Sequence, residues 1–362
     1  MGNGNDLISF VASMAGEGNL RVEENLGAGF VRLRVSEAER RQAKHDIQHV
    51  EDIVVEMLRN ARDAGARNIY VATAKEDGVR TLLFIDDGCG VPDDMRERIF
   101  DARVTSKLES MKMDRWGVHG RGMALFSIRQ NARSAEVVAS GPQRGSALRV
   151  VADTSTLPER ADQSSWPQVE KDEGGHLTCA RGPHNILRTV CEFACEELHG
   201  CDVYVGSPTE IAATLFQRAS ASLDASRLLF IDDEGELPVA QRLACAGDAA
   251  DFIRIAASVG LELSERTAHR ILAGAIEPQR SVASRLLRER DVSPRAPQAI
   301  DLARDRRGLK IAHDDLEAFS RSLERDFNEL ASRYYLNLSR EPKIRVMHDR
   351  ITVTFDLGKE EC

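Results

Sequence analysis

The chain has no apolar run approaching the ~20 residues of a bilayer span. Its opening stretch, "MGNGNDLISFVASMAGEGNL", lacks the basic region and cleavage pattern of a secretory signal. A cytoplasmic protein without a membrane partner is therefore expected. CxxC pairs are missing too, and seven cysteines, an odd number, fit reduced thiols better than a disulfide framework or a zinc site. Cys191 and Cys195, one helical turn apart, are expected as buried structural residues. There is no overall excess of positive charge: the formal net charge is −9, so any contact with nucleic acid must be local. One region suits that role, since between Arg266 and Lys310 eleven Lys and Arg stand against five Asp and Glu. Internal repeats and low-complexity tracts are also absent. What remains is a globular chain of 362 residues with 42% hydrophobic content, long enough for two or three domains.

What is present begins with "WGVHGRGMALFSI", Trp116 to Ile128, in which glycines surround a histidine and an arginine just before an apolar helical run. Gly117-x-x-Gly120-x-Gly122 is not a Walker loop, which needs Lys-Ser/Thr after its last Gly, and no dinucleotide fingerprint strand precedes it. A Gly-rich turn opening a helix still leaves unpaired N–H groups at the positive end of the helix dipole, where phosphate collects.

The run from Glu37 to Gly65 places Ile47, Val50, Val54, Met57, Leu58 and Ala61 at helical spacing and predicts one long amphipathic helix. "RNIYVATAKEDGVRTLLFIDDGCGVP" predicts a hairpin whose second strand ends at "DDG", followed by a short helix from Pro92. After the Gly-rich turn and its helix, "SAEVVASGPQRGSALRVVAD" reads as a strand pair and "TSTLPERADQSSWPQVEKDEGG" as a polar strap. "HLTCAR", "NILRTVCEFACEELHG" and "CDVYVGSP" read as strand, helix and strand, and a transition follows through "LLFIDDEGELP". Residues 248–290 read as a compact helical module with Gly260 and Gly274 between helices. A later amphipathic helix and a closing hairpin, "KIRVMHDRITVTFDL", end the chain.

Chemistry concentrates in the first half. Glu56, Asn60 and Asp63, at i, i+4 and i+7, lie along one side of the predicted helix beside an apolar stripe. An Asn amide oxygen can ligate Mg²⁺ and a Glu can orient or deprotonate a water, so a metal-bound polyphosphate would partner this row. Asp86 closes a strand before Gly88 and Gly90. Its carboxylate can accept a hydrogen bond from an exocyclic amine while the glycines admit a flat ring to the backbone.

Together, "ExxxNxxD", "DxGxG", "TSK" and "GxxGxG" follow one another within about seventy residues, an arrangement that resembles the GHKL ATPase superfamily of gyrase, the mismatch-repair ATPases, the large heat-shock chaperone and histidine kinases. The resemblance implies an α+β fold: a two-layer α/β sandwich, the Bergerat fold, holding ATP and Mg²⁺ under a mobile segment. Residue by residue it implies that Glu56 activates the attacking water and Asn60 holds Mg²⁺, with Asp63 supporting the phosphate and adenine side. It gives Asp86 the adenine amine, with Gly88 and Gly90 giving the ring access. Lys107 would lie near the phosphates, and Gly117, His119, Gly120 and Gly122 would wrap the β and γ phosphates, with His119 as an extra donor and Arg121 turned toward solvent. Gly145 and Ser146 match a "GT" position under the adenine, Ser replacing Thr with the hydroxyl kept.

From "RVVADTSTLPE" to "DFIRIAASVGLELSERTAHRILAGAIEP" the sequence resembles the B subunit of type IIB topoisomerases, the topoisomerase VI group. That implies an arm over residues 1–40, an ATPase domain with its strap over 41–230, a helix-two-turn-helix-like module over 248–290 and a short helix and β-hairpin over 291–362 in place of a full transducer. It also implies an ATP-dependent homodimer that acts on duplex DNA with a topoisomerase VI A-like or other effector subunit. Lys343 is the candidate switch lysine. Tyr334 and Tyr335 fall on a predicted amphipathic helix, where packing explains them better than strand cleavage. The alternatives are a chaperone-like or defence-system ATPase of the same fold and a histidine kinase, the latter disfavoured by the water-activating Glu56.

Overall fold

The computed structural model describes residues 22–106, 112–114, 116–119, 122–160, 162–171, 177–197, 200–223, 231, 233–291, 313–331, 336–346 and 351–359. The chain divides into two compact units, Met1–Asp291 and Val292–Cys362.

The first unit is built on a five-stranded sheet of order β12 (Asp202–Gly206), β3 (Asn68–Glu76), β4 (Val79–Asp86), β9 (Ser146–Asp153), β8 (Ser134–Ser140), while β10 (Gln168–Lys171) and β11 (Leu177–Arg181) form a separate antiparallel pair. Strands β3 (Asn68–Glu76) and β4 (Val79–Asp86) form the expected hairpin, closed by Asp77 and Gly78, both at positive φ as a two-residue turn of this hand requires. β8 (Ser134–Ser140) and β9 (Ser146–Asp153) form the second hairpin, and β12 (Asp202–Gly206) joins the far edge parallel to β3. One face of the sheet carries Ile69, Val71, Leu82, Phe84, Leu148 and Val150 against a helical layer, giving the expected α/β sandwich.

The long helix expected from Glu37 is two: α1 (Glu37–Asp46) and α2 (Val50–Asp63). The Asp52 carboxylate accepts from the amides of Gln48 and His49 at 2.9 and 2.8 Å, and Ile47 is extended, so the chain turns before α2 starts. α2 buries Val50, Ile53, Val54, Met57, Leu58 and Ala61. Beside it lie α3 (Ala124–Asn131) and α4 (Ile186–Glu196), the latter burying Ile186, Val190, Cys191 and Phe193. The helix expected from Pro92 is instead two 3₁₀ turns, Asp93–Met95 and Arg98–Phe100, which sink Met95, Ile99 and Phe100 into the same core. The strap is pinned: Glu159 accepts from Arg80 and Lys75, and buried Glu51 of α2 accepts from Gln163 at 2.6 Å.

The opposite face of the sheet is also covered. A helix lying in the stretch read as a transition, α5 (Pro208–Ser222), packs on β3. Its start is a capping box of Ser207 and Glu210 with Pro208 in the first turn. The 3₁₀ segment Val239–Cys245, α6 (Ala249–Ser258) and α7 (Glu265–Leu272) complete this layer, with Phe252 fully buried and edge-on to Phe216. α8 (Val282–Asp291) returns to the first face, where Val282 and Leu286 fill space against α4 and β12. The run read as one compact helical module thus straddles the edge of the sheet, because its two apolar surfaces belong to different cores.

At the N-terminal side, β1 (Val22–Gly27) and β2 (Phe30–Leu33) form a hairpin that β5 (Val104–Thr105) extends. In the second unit, α9 (His313–Ala331) accompanies two strand pairs, β13 (Leu336–Leu338) with β16 (Leu357–Lys359) and β14 (Lys343–Val346) with β15 (Ile351–Thr354). No helix of the described residues is long and apolar enough to cross a membrane.

Truncating Phe252 to Ala is expected to cost about 3–5 kcal/mol and to lower the urea midpoint of the whole first unit. If α6 and α7 melted separately while the sheet kept its midpoint, the shared-core description would be wrong.

Candidate functional site

Between α2 and the ends of β4 and β9 lies a cavity of about 630 Å³, within the range of small-ligand sites. Glu56, Asn60, Asp63, Asp86, Gly90, Gly122 and Ser146 line it together. α2 brings the first three because its buried stripe fixes the roll of the helix, leaving the adjacent row toward the cavity.

At the strand end, Asp86 is 4% exposed. Its Oδ2 accepts from Ser146 Oγ at 2.5 Å, across the β4–β9 register, and its Oδ1 accepts from the Gly88 amide at 2.9 Å. Two turns are stitched together beside it: Gln143 N donates to Cys89 O at 2.7 Å and Gly145 N to Gly88 O at 3.0 Å. The glycines serve this closeness. A Cβ on Gly90 would stand 2.1 Å from the Gly141 carbonyl oxygen, and one on Gly145 would stand 2.1 Å from the Asp86 carbonyl oxygen; both residues have positive φ. Gly88 is crowded by Ala64 and by the Asp86 carboxylate.

On α2 the side-chain nitrogen of Asn60 is buried with no hydrogen-bond partner. The two ends of an amide are assigned from their surroundings, so this unsatisfied amide fits a ligand or an ion in the cavity. Glu56 is engaged by Arg59, whose Nη1 donates to Glu56 Oε1 at 2.7 Å. Burial pushes the Glu56 carboxyl above the usual range, with Arg59 pulling it the other way. Asp63 sits 3.4 Å from Arg62 Nε. Among the described residues no group of three His, Cys, Asp or Glu could cage a metal ion.

Part of the "GVHGRG" stretch lies within the described residues. Gly117–His119 is a strand, β7, paired antiparallel with β6 (Lys112–Asp114), and the described chain resumes at Gly122 (φ +68), just before α3. Three-residue strands form here because the two runs pair with each other at Lys112 with His119 and Asp114 with Gly117. The first turn of α3, with Met123 and Ala124, lines the cavity. Lys107, Gly120 and Arg121 lie outside the described residues, as do Tyr334 and Tyr335. Lys343, in the second unit, pairs with Asp356 at 3.1 Å.

Sequence reasoning missed Arg59 and Asp114. Arg59 Nε donates to Asp114 Oδ2 at 2.9 Å, Nη2 donates to Oδ1, and the guanidinium lies 5.6 Å from the Trp116 ring centre. These partners are separated by 55 residues, a distance that no local spacing reveals.

Comparisons with known proteins match the same part of the chain. Residues 45–156 match the family model described as histidine kinase-, DNA gyrase B-, and HSP90-like ATPase. DNA mismatch repair protein MutL of Thermus thermophilus is 39% identical over 84 residues, covering 23% of this chain and 15% of that protein. MutL of Parabacteroides distasonis is 33% identical over 125 residues, 33% of this chain and 20% of that protein. The chain thus spans a fifth or less of the length of these relatives. A crystal structure of full-length ShkA in complex with AMPPNP aligns over 76% of this chain and 63% of that one at 15% identity, with a TM-score of 0.23, too low to carry an argument.

Gly145→Ala would force a left-handed backbone on a side-chain-bearing residue and a Cβ into the Asp86 carbonyl. It is expected to cost at least about 1–3 kcal/mol, read as a lower urea midpoint; an unchanged midpoint would contradict the close stitching of the two turns.

Proposed function

We propose, from the match of residues 45–156 to the histidine kinase-, DNA gyrase B-, and HSP90-like ATPase model, that the chain carries a GHKL ATP-binding domain and is a Mg²⁺-dependent ATPase and a dimerising switch. The observation that carries this reading is the convergence of Glu56, the unsatisfied amide of Asn60, Asp63 and the Asp86–Ser146 pair on one cavity. In it the Asp86 carboxylate accepts from the adenine amine and Ser146 orients that carboxylate. Asn60 and the first turn of α3 would face the phosphates, and the resemblance assigns Lys107, Gly117, His119, Gly120 and Gly122 to the same groups. Asn60 would hold Mg²⁺, with Asp63 supporting the same side. When bound, Mg²⁺ would neutralise charge on the phosphates. Glu56 takes a proton from the attacking water, a task suited to a carboxylate of raised pKa.

Glu56→Ala is expected to keep Mg-ATP binding while hydrolysis falls about 10²- to 10⁴-fold, and unchanged turnover would remove Glu56 from the mechanism. Asp86→Asn is expected to weaken ATP binding by calorimetry, because the amine loses its charged acceptor; equal affinity would refute the adenine assignment.

The finer reading is a clamp on duplex DNA resembling the topoisomerase VI B subunit, partnered by an A-like cleavage subunit or another effector. The sequence run through residue 290 supports it, and so does the basic excess between Arg266 and Lys310. Of that set, Arg285 lies 3.9 Å over the Trp166 ring and is committed to packing. The partial matches to proteins named for DNA mismatch repair favour a role on DNA. The competing function is a chaperone-like or defence-system switch that ignores DNA. Sedimentation with a nonhydrolysable ATP analogue, with and without duplex DNA, separates the two. The clamp is expected to dimerise and to bind DNA with an affinity that falls steeply with salt. A monomer that ignores DNA at low salt would contradict it.

A further inference from the structure

Acidic side chains outnumber cations among the described residues that line the cavity. Among the described residues that line it, Asp46, Glu56, Asp63 and Asp86 are acidic and Arg59 is the only cation. A nucleotide polyphosphate would add several more negative charges beside Arg59.

Arg59 is also already engaged. Its side chain is 5% exposed; Nε and Nη2 hold the two oxygens of Asp114 in a fork, while Nη1 holds Glu56. Asp114 itself is 9% exposed on the side chain, and its Oδ1 accepts from the Trp116 amide at 3.0 Å. Arg62, one turn along α2, lies 3.6 Å from Asp114 and 3.2 Å from Glu197. The β6–β7 pair is thereby fastened by one carboxylate to two arginines of α2. A carboxylate gripped through both oxygens presents an arginine with the same planar, bidentate acceptor pattern as two phosphate oxygens.

From this geometry we propose that Asp114 is an internal competitor for the phosphates. It occupies the Arg59 fork until a nucleotide displaces it, whereupon Arg59 contacts the terminal phosphates. Arg59 is then a phosphate-contacting residue and Asp114 an autoinhibitory one. The inference rests on the ATP-site reading and adds to it a coupling. A ligand shifts a two-state equilibrium only through contacts that differ between the states, and the fork provides them, because a nucleotide with terminal phosphates competes with Asp114 and adenosine does not. The apparent affinity for ATP is reduced by the fraction of chains in which the fork is occupied. Glu56 is linked to the same event, since it shares the guanidinium with Asp114.

The test measures affinity for a nonhydrolysable ATP analogue and for adenosine, in the parent chain, in Asp114→Asn and Asp114→Ser, and in each variant combined with Arg59→Ala. If nine chains in ten hold the fork closed, Asp114→Asn is expected to bind the analogue about tenfold more tightly, with adenosine affinity unchanged and the gain abolished by Arg59→Ala. Trp116 gives a second readout that leaves Asp114 intact. In a Trp166→Phe background its emission is expected to shift when the analogue binds and to stay fixed with adenosine. Unchanged or weaker analogue affinity in the folded Asp114 variants, together with a silent Trp116 in a parent that binds the analogue, overturns the competitor while sparing the ATP site. A parent chain that binds neither compound overturns both.

Discussion

The site depends on the roll of one helix. α2 must seal the core through Val50, Ile53, Val54, Met57, Leu58 and Ala61, and only one rotation of the helix buries all of them against the sheet. That rotation leaves Glu56, Asn60 and Asp63 facing the cavity, so hydrophobic packing supplies the positional precision of the polar row. Arg59 follows from the same geometry. It is 4% exposed as a residue, and a buried guanidinium needs acceptors, which Glu56 and Asp114 provide.

The other wall is fixed by backbone proximity. Asp86 closes β4 opposite Ser146 on β9, and the turns carrying Gly90 and Gly145 pass so near their neighbours that a methyl group would collide with a carbonyl oxygen at either position. The carboxylate is thus held from two directions, by a hydroxyl and by an amide, before any ligand arrives. Such preorganisation reduces the ordering cost of binding. Covering the sheet on its second face with α5, α6 and α7 adds to this rigidity, because Leu83 and Ile85 of β4 are buried in that core too.

Much of this was legible in the sequence because it is local. The β3–β4 and β8–β9 hairpins, the apolar stripe of α2 and the spacing of Glu56, Asn60 and Asp63 are all patterns of a few residues. The break between α1 and α2 was hidden because Asp52 captures amides that an unbroken helix would bond to its own carbonyls. α5 was overlooked although Ser207, Pro208 and Glu210 spell a helix start. The division of α6, α7 and α8 between two cores follows from tertiary packing, and so does the Arg59–Asp114 fork. Gly90, read with Gly88 as granting a ring access to the backbone, also meets the Gly141 carbonyl within the protein, and Gly145, read as part of a position under the adenine, meets the Asp86 carbonyl.

The central claim is that the α2 wall and the Asp86 wall hold one nucleotide through a metal on Asn60. Calorimetric titration of ATP into the parent chain and into Asn60→Ala, with Mg²⁺ and with chelator, tests it most directly. The expected result is 1:1 binding by the parent that tightens with Mg²⁺, and a variant in which most of that metal dependence is lost. Binding that ignores Mg²⁺ in the parent, or the same Mg²⁺ dependence in both chains, would contradict it.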